Sequence, residues 1–382
     1  MIAPASAAGG DFEAWAAREA EAIRAADRWR EVRTFDARGP VGTLGGREVI
    51  SFASNDYLGL SFHPAVIAAA KAALDRWGAG ATASRLIVGS RPVHAELEAE
   101  LCDWKQTDRA LVFSTGYAAN LGALSCLGGP DCLIVSDELN HASIIDGCRL
   151  SRSPVAVARH NDVEHMEALL AESAAPRKLV VVDAVFSMDG DEAPLAALGQ
   201  SCARHGAGLV IDEAHAVLGP PLGDLAGLEG LTLLRVVTLS KALGAVGGAV
   251  CGPAPPIDLL VNRARPFIFS TGLAPPDAAA ALAAIRIARG PDGAARAARL
   301  AGHLDRLRPG HRTPILPFVV GSERRALEAA EGLLAEGLLV PPIRPPTVPP
   351  GSSRLRVALS AAHTEDMLDR LLAGLAKLGL RR

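Results

Sequence analysis

Lysine is scarce in this 382-residue chain: Lys71, Lys105, Lys178, Lys241 and Lys377 stand against 34 arginines, so amine chemistry has few candidate side chains. No lysine follows a glycine, which rules out the G-x-x-x-x-G-K-[ST] phosphate loop and with it a helicase reading of Asp212-Glu-Ala-His215. The six cysteines (Cys102, Cys126, Cys132, Cys148, Cys202, Cys251) form no C-x-x-C pair, and no Cys/His group has zinc-ligand spacing. Reduced thiols in a cytoplasmic protein, without a metal site, are therefore expected. Charge of neither sign is massed: a formal net charge of −3 is spread over mixed acidic and basic residues, leaving no footprint for nucleic acid or an anionic membrane. Met1 to Gly10 lacks a basic n-region before an apolar core, which argues against a signal or transit peptide. The uncharged run over residues 110–130 is interrupted by Ser114, Thr115, Gly116, Asn120 and Gly122, so it reads as strand, turn and helix instead of a membrane span.

What is present is a hydrophobic fraction of 49%, enough for a large buried interior and arranged in short runs. Residues 11–33 have helical spacing, with Phe12, Trp15, Ile23 and Trp29 as contacts for docking on the body. Residues 39–50 read as a hairpin turning at Gly45-Gly46. Apolar strands are then expected at 110–113, 132–135, 155–158, 179–182, 208–211, 236–239 and 248–251, alternating with Ala- and Leu-rich helices. From about residue 275 the texture changes to helices with strands at 315–319 and 354–359, and the Pro-rich segment 341–350 can be neither helix nor central strand. The pattern predicts an α/β fold: an N-terminal helix and hairpin arm over 1–45, a large domain with a mostly parallel seven-stranded sheet over 46–275, and a smaller α+β domain over 276–382.

In such sheets ligands bind at the carboxyl ends of the strands. Those ends carry Ser114-Thr-Gly-Tyr117, Ser136-Asp137, Asp183, Asp212 and Ser240-Lys241. Strand-Asp-x-x-His followed by strand-Ser-Lys points to a pyridoxal phosphate site, which needs an amine, an acid at the ring nitrogen, phosphate donors and a group against the ring. Lys241 is the Schiff-base amine and Asp212 the acid. The amides of Gly116 and Tyr117 at a helix start, with the hydroxyls of Thr238 and Ser240, are the phosphate donors. His141 is the candidate to stack on the ring, Ser187 and His215 to bond its phenolic oxygen, and Arg356 to clamp a substrate carboxylate. Taken singly, each has a plain structural alternative; Asp212 and Lys241 in this order at strand ends carry the assignment.

Ser54-Asn-Asp-Tyr-Leu-Gly-Leu60, Asn140-His-Ala-Ser143, Val185-Phe-Ser-Met-Asp-Gly-Asp191, Asp212-Glu-Ala-His215 and Thr238-Leu-Ser-Lys241 together resemble the α-oxoamine synthases, over nearly the whole chain. The resemblance implies the fold-type I architecture of pyridoxal phosphate-dependent transferases and a decarboxylative condensation of an amino acid with an acyl thioester. Residues 343–349 and 354–363 look like the member that uses L-alanine and pimeloyl-CoA or pimeloyl-acyl carrier protein in biotin synthesis. By that resemblance Arg30 contacts the acyl donor, Asn55, His141 and Thr347 line the substrate site, and Arg356 holds the carboxylate. A homodimer is implied, with Thr271 reaching the partner's phosphate site. Relatives that use glycine or serine share Lys241, Asp212 and His141, and the Pro-rich loop favours alanine. A non-catalytic protein binding an acyl carrier has no need of Lys241. Two positions depart from the family pattern: the segment after His215 lacks the usual Gly-x-Gly, and Asp183 stands where a glutamate is expected.

Overall fold

The computed structural model describes residues 11–216, 225 and 228–380. The N-terminal helix is shorter than expected, Phe12–Ala25, capped by Asp11 accepting the Glu13 amide at 3.0 Å and followed by Asp27 in the left-handed region at φ 55°. It does not dock on the body: none of its residues is buried, and Phe12 is 74% exposed. Within the arm, Phe12 lies against Trp15 at 5.2 Å and the Arg24 guanidinium over the Trp29 ring at 3.8 Å.

Strands β1 (Phe35–Ala37), β2 (Val41–Leu44) and β3 (Arg47–Ser51) form an antiparallel meander. Gly45 and Gly46 turn it at φ 58° and 79°, a pair of left-handed positions that only glycine takes without strain.

Seven strands make the central sheet: β4 (Arg109–Phe113), β5 (Cys132–Asp137), β6 (Val155–Ala158), β7 (Arg177–Asp183), β8 (Gly208–Asp212), β9 (Thr232–Thr238) and β10 (Gly248–Gly252). Their spatial order is β4-β10-β9-β8-β7-β5-β6, and only β10 runs against its neighbours. Alternation along each strand feeds two cores. Ile134, Val181, Val210 and Val236 enter one, beneath the helix Gly116–Leu127. Val135, Val180, Val182 and Ile211 enter the other, against the helices Val163–Glu172 and Leu195–Arg204. Strand β9 starts four residues before its expected place, because Leu234 and Val236 are the buried pair in register with β8.

The last unit has β11 (Ile315–Gly321), β12 (Leu338–Leu339), β13 (Pro342–Ile343) and β14 (Ser353–Ala358), covered by the helices Glu323–Ala335 and Glu365–Lys377. The order β11-β14-β13 puts Pro342 on an edge strand, the place where a missing amide is tolerated. β12 pairs in parallel with β3, and β14 lies beside the segment after β3 through the Ala358 amide on the Phe52 carbonyl at 2.8 Å. No helix among the described residues is long and apolar enough to cross a membrane.

Candidate active site

Lys241 follows β9 in a tight turn, closed by the Gly244 amide on the Lys241 carbonyl at 2.9 Å, that returns the chain into β10. Its amine lies 2.8 Å from His215 Nε2. Burial lowers the lysine's pKa, opposed by the carboxyls of Asp212 and Asp183. His215 is buried, and desolvation, then the cations Lys241 and Arg356, hold it well below the ordinary imidazole value, so it is neutral.

From His215 a chain of contacts reaches Arg356. His215 Nδ1 lies 2.7 Å from the Tyr57 hydroxyl, which is 2.9 Å from Asn55 Oδ1. Arg356 Nη1 and Nη2 each donate to Asn55 Oδ1 at 3.3 Å, Nη2 also reaches the Tyr57 hydroxyl at 3.3 Å, and Nε donates to the Ser187 carbonyl at 2.5 Å. Arg356 sits in β14 and Tyr57 in the segment after β3, so the pairing of the C-terminal unit with that segment builds this side of the site. Burial pushes the Tyr57 hydroxyl up to about 12, against the pull of Arg356.

A second network lies under the ends of β7 and β8. Asp183 and Asp212 are cross-strand partners. Asp212 accepts Asn120 Nδ2 at 2.6 Å and the Ala214 amide at 2.9 Å. Asn120 Nδ2 also reaches Ser143 Oγ at 2.9 Å, and Ser143 Oγ lies 2.7 Å from His141 Nδ1. Asp183 accepts the His141 amide at 2.7 Å. Burial and the neighbouring Asp212 carboxylate raise the Asp183 pKa well above the carboxylate range. Two buried carboxyls side by side oppose each other's ionisation, and Asp183 is the one driven towards its neutral form. Burial lowers the His141 pKa.

The helix Gly116–Leu127 starts at Gly116, with Thr115 capping the Ala118 amide at 3.0 Å. No partner for the Gly116 and Tyr117 amides is found among the described residues, as expected for a first helical turn. A Cβ built on Gly116 would meet Thr238 Oγ1 at 3.2 Å, so the lack of a side chain is what brings these amides beside that hydroxyl. Thr238 Oγ1 in turn lies 2.9 Å from Ser240 Oγ. The Tyr117 ring stands edge-on to His141 at 6.5 Å.

The structure thus brings together Lys241, His215, Asn55, Arg356, Asp212 and His141, and pairs Gly116 with Thr238. Ser187 enters through its carbonyl on Arg356, and with Thr347 it lines a cavity of about 860 Å3 whose other walls include Leu139, Phe186, Met188 and Val348. Arg30 faces elsewhere: it reaches the Pro345 carbonyl at 3.4 Å and lines a cavity of about 610 Å3 with Trp29 and Arg344. Thr271 is exposed and makes none of these contacts. The Gly-x-Gly departure falls on residues 216–218, of which only Ala216 is among the described residues. Sequence reasoning missed Tyr57, Asn120 and Ser143 as functional contacts; the quoted Ser54–Leu60 and Asn140–Ser143 motifs contain two of them.

The aminotransferase class I and II family matches residues 47–375. A curated relative, 8-amino-7-oxononanoate synthase of Anaeromyxobacter dehalogenans (strain 2CP-1), is 50% identical over 376 residues, covering 95% of this chain and 94% of that protein. Among solved structures, SPT with a PLP internal aldimine aligns with a TM-score of 0.87 at 31% identity, covering 97% of this chain and 98% of that one. The 8-amino-7-oxononanoate synthase of Francisella tularensis aligns with a TM-score of 0.70 at 25% identity, covering 87% and 98% respectively.

Proposed function

The chain belongs to the class I and II aminotransferase family, and from that premise we propose that it is a pyridoxal phosphate-dependent acyltransferase of biotin biosynthesis. It joins L-alanine to a pimeloyl thioester, on coenzyme A or an acyl carrier protein, giving 8-amino-7-oxononanoate, carbon dioxide and free thiol. The observation that carries the reading is Lys241 at a strand end, its amine 2.8 Å from a neutral His215, with the Asp212 carboxylate presented by the adjacent strand.

The donor set fits the cofactor. The cradle at Gly116, which a Cβ would fill against Thr238 at 3.2 Å, offers two free amides and the hydroxyls of Thr238 and Ser240 to a phosphate. Asp212 is the acid for the ring nitrogen, His141 the group beside the ring, and His215 and Ser187 the partners of the phenolic oxygen. Bound there, pyridoxal phosphate supplies an electron sink for the charge left at the alanine α-carbon. Lys241, its pKa lowered by burial, takes the α-proton and returns one after carbon dioxide leaves. Arg356 fixes the alanine carboxylate with a two-pronged bond, supported by Asn55. The cavity of about 860 Å3 between Ser187 and the Pro-rich loop suits the pimeloyl chain, with Leu139, Phe186 and Val348 as apolar walls and Thr347 at its rim. Arg30, in the neighbouring cavity, meets the donor beyond the acyl chain.

The active protein is a homodimer. Leu86, Ile87, Val88 and Phe269 are exposed apolar residues, and the Gly272 amide on the Ala83 carbonyl at 2.9 Å holds their two segments side by side. A second copy covering this patch would bring Thr271 to its partner's phosphate cradle. All six cysteines are unpaired, which supports a cytoplasmic location.

Thiol release from pimeloyl-CoA, with added pyridoxal phosphate and L-alanine, glycine or L-serine in turn, tests the reading. Release with alanine alone is expected. Release with glycine or serine instead would move the chain to 5-aminolevulinate synthase, 2-amino-3-ketobutyrate ligase or serine palmitoyltransferase chemistry, and a cofactor band without release from any pair would point to the carrier-protein donor.

A further inference from the structure

Tyr57 carries a single hydroxyl hydrogen, and its neighbours decide where that hydrogen points. Asn55 Oδ1 lies 2.9 Å away, His215 Nδ1 2.7 Å and Arg356 Nη2 3.3 Å. Arg356 only donates. The Asn55 atom facing Tyr57 also accepts both Arg356 Nη groups at 3.3 Å, which fixes it as the amide oxygen, an acceptor only. If the tyrosine hydrogen pointed to His215, two oxygen lone pairs would face each other across 2.9 Å at Asn55. Pointing to Asn55 removes that conflict. The tyrosine oxygen then has to accept from His215, so the imidazole hydrogen sits on Nδ1 and Nε2 is bare towards Lys241 at 2.8 Å. Every contact in the chain then has one donor and one acceptor, as buried polar groups require.

We infer that Tyr57 is a positioning residue: turned to Asn55, its hydroxyl fixes His215 as the Nδ1–H tautomer, whose Nε2 accepts an N–H of Lys241 and leaves the amine lone pair free to react. The opposite tautomer would spend that lone pair on accepting Nε2–H. The inference rests on the assignment of Lys241 as the amine that joins the cofactor aldehyde, forming a C=N bond with loss of one water.

Tyr57→Phe keeps the ring of this fully buried residue and removes the hydroxyl that accepts Nδ1–H, together with its bonds to Asn55 and Arg356. The loading of pyridoxal phosphate onto apoprotein, followed by its visible band across the neutral pH range, is expected to slow on the order of tenfold or more, since a buried donor without its acceptor drives the imidazole to the other tautomer. Affinity for pyridoxine 5′-phosphate, which has no aldehyde, is expected to be unchanged. Wild-type loading rates in the variant would overturn the inference. So would a parallel loss of analogue affinity, which would mark Tyr57 as packing alone. Nitrogen-15 NMR of histidine-labelled wild-type apoprotein, with His215→Gln to identify the signal, decides without relying on a variant at Tyr57: hydrogen on Nδ1 is expected, and hydrogen on Nε2 refutes it. Failure of the wild type to load pyridoxal phosphate at all would sink the cofactor reading and leave the NMR result to stand by itself.

Discussion

Glu213 follows Asp212 in sequence, so at the end of β8 its side chain projects to the opposite side of the strand. There it meets Lys105 Nζ at 2.6 Å and Arg235 Nε, while Arg235 Nη1 donates to the Lys105 carbonyl at 2.8 Å. The three side chains are 5%, 9% and 14% exposed for Glu213, Lys105 and Arg235. Burial alone would raise the Glu213 pKa; Lys105 and then Arg235 outweigh it and hold the carboxyl below its ordinary value. Glu213→Gln keeps the shape and strands two cations in the interior, which costs about 3–5 kcal/mol by analogy with broken buried pairs. At about 2.1 cal/mol/K per residue, 382 residues have an unfolding entropy of about 0.8 kcal/mol/K, so the loss corresponds to a drop of about 4–6 °C in Tm. Thermal unfolding followed by circular dichroism, at fixed protein and cofactor concentration, measures it. The contribution is present above the unfolded carboxyl pKa and fades as pH falls through the depressed folded value, so the gap between parent and variant closes in acid. A variant within about 1 °C of the parent at neutral pH would refute the reasoning, because it would mean the cations are solvated or repaired elsewhere.

Lys241→Ala is expected to abolish both the cofactor band and turnover while the circular dichroism spectrum is kept; alanine-dependent thioester cleavage in that variant would end the mechanism. Arg356→Ala removes a charge-assisted pair worth about 1.5–3 kcal/mol, so the alanine KM should rise on the order of tenfold to a hundredfold with the acyl-donor KM little changed; equal rises would make Arg356 structural. His160 bridges Asp137 at 2.9 Å and Asp191 at 2.8 Å, and although burial opposes it, these two carboxylates raise its pKa. Its stabilising effect is therefore complete below the ordinary histidine value of about 6.5 and is lost as pH rises through the raised one, so His160→Gln should destabilise the protein on the acid side of that window and converge with wild type above it. Unfolding midpoints across that range check it, and a gap that widens with pH would contradict the assignment.

The central sheet was legible because each buried strand is an almost unbroken apolar run ending in one polar residue, and register then does the rest: Asp183 opposite Asp212, Asp212 opposite Val236 two residues short of Thr238. Any sequence with that rhythm collects its strand-end side chains at one edge, which is why Asp212, Lys241 and Thr238 could be placed without coordinates. The N-terminal helix had the right period too, but period reports only that one face is apolar, not that a surface receives it, and here none of the helix residues is buried. The other half of the site has no periodic signal. Tyr57 lies 158 residues from His215, and Asn55 lies 301 residues from Arg356. Those pairs exist because β14 is laid beside the segment after β3, a docking of two units whose own alternation says nothing about which residues will face each other. Thr271 marks where one chain's physics stops: it lies beside an apolar patch that a single copy leaves open, and the role proposed for it depends on a surface supplied by a second molecule.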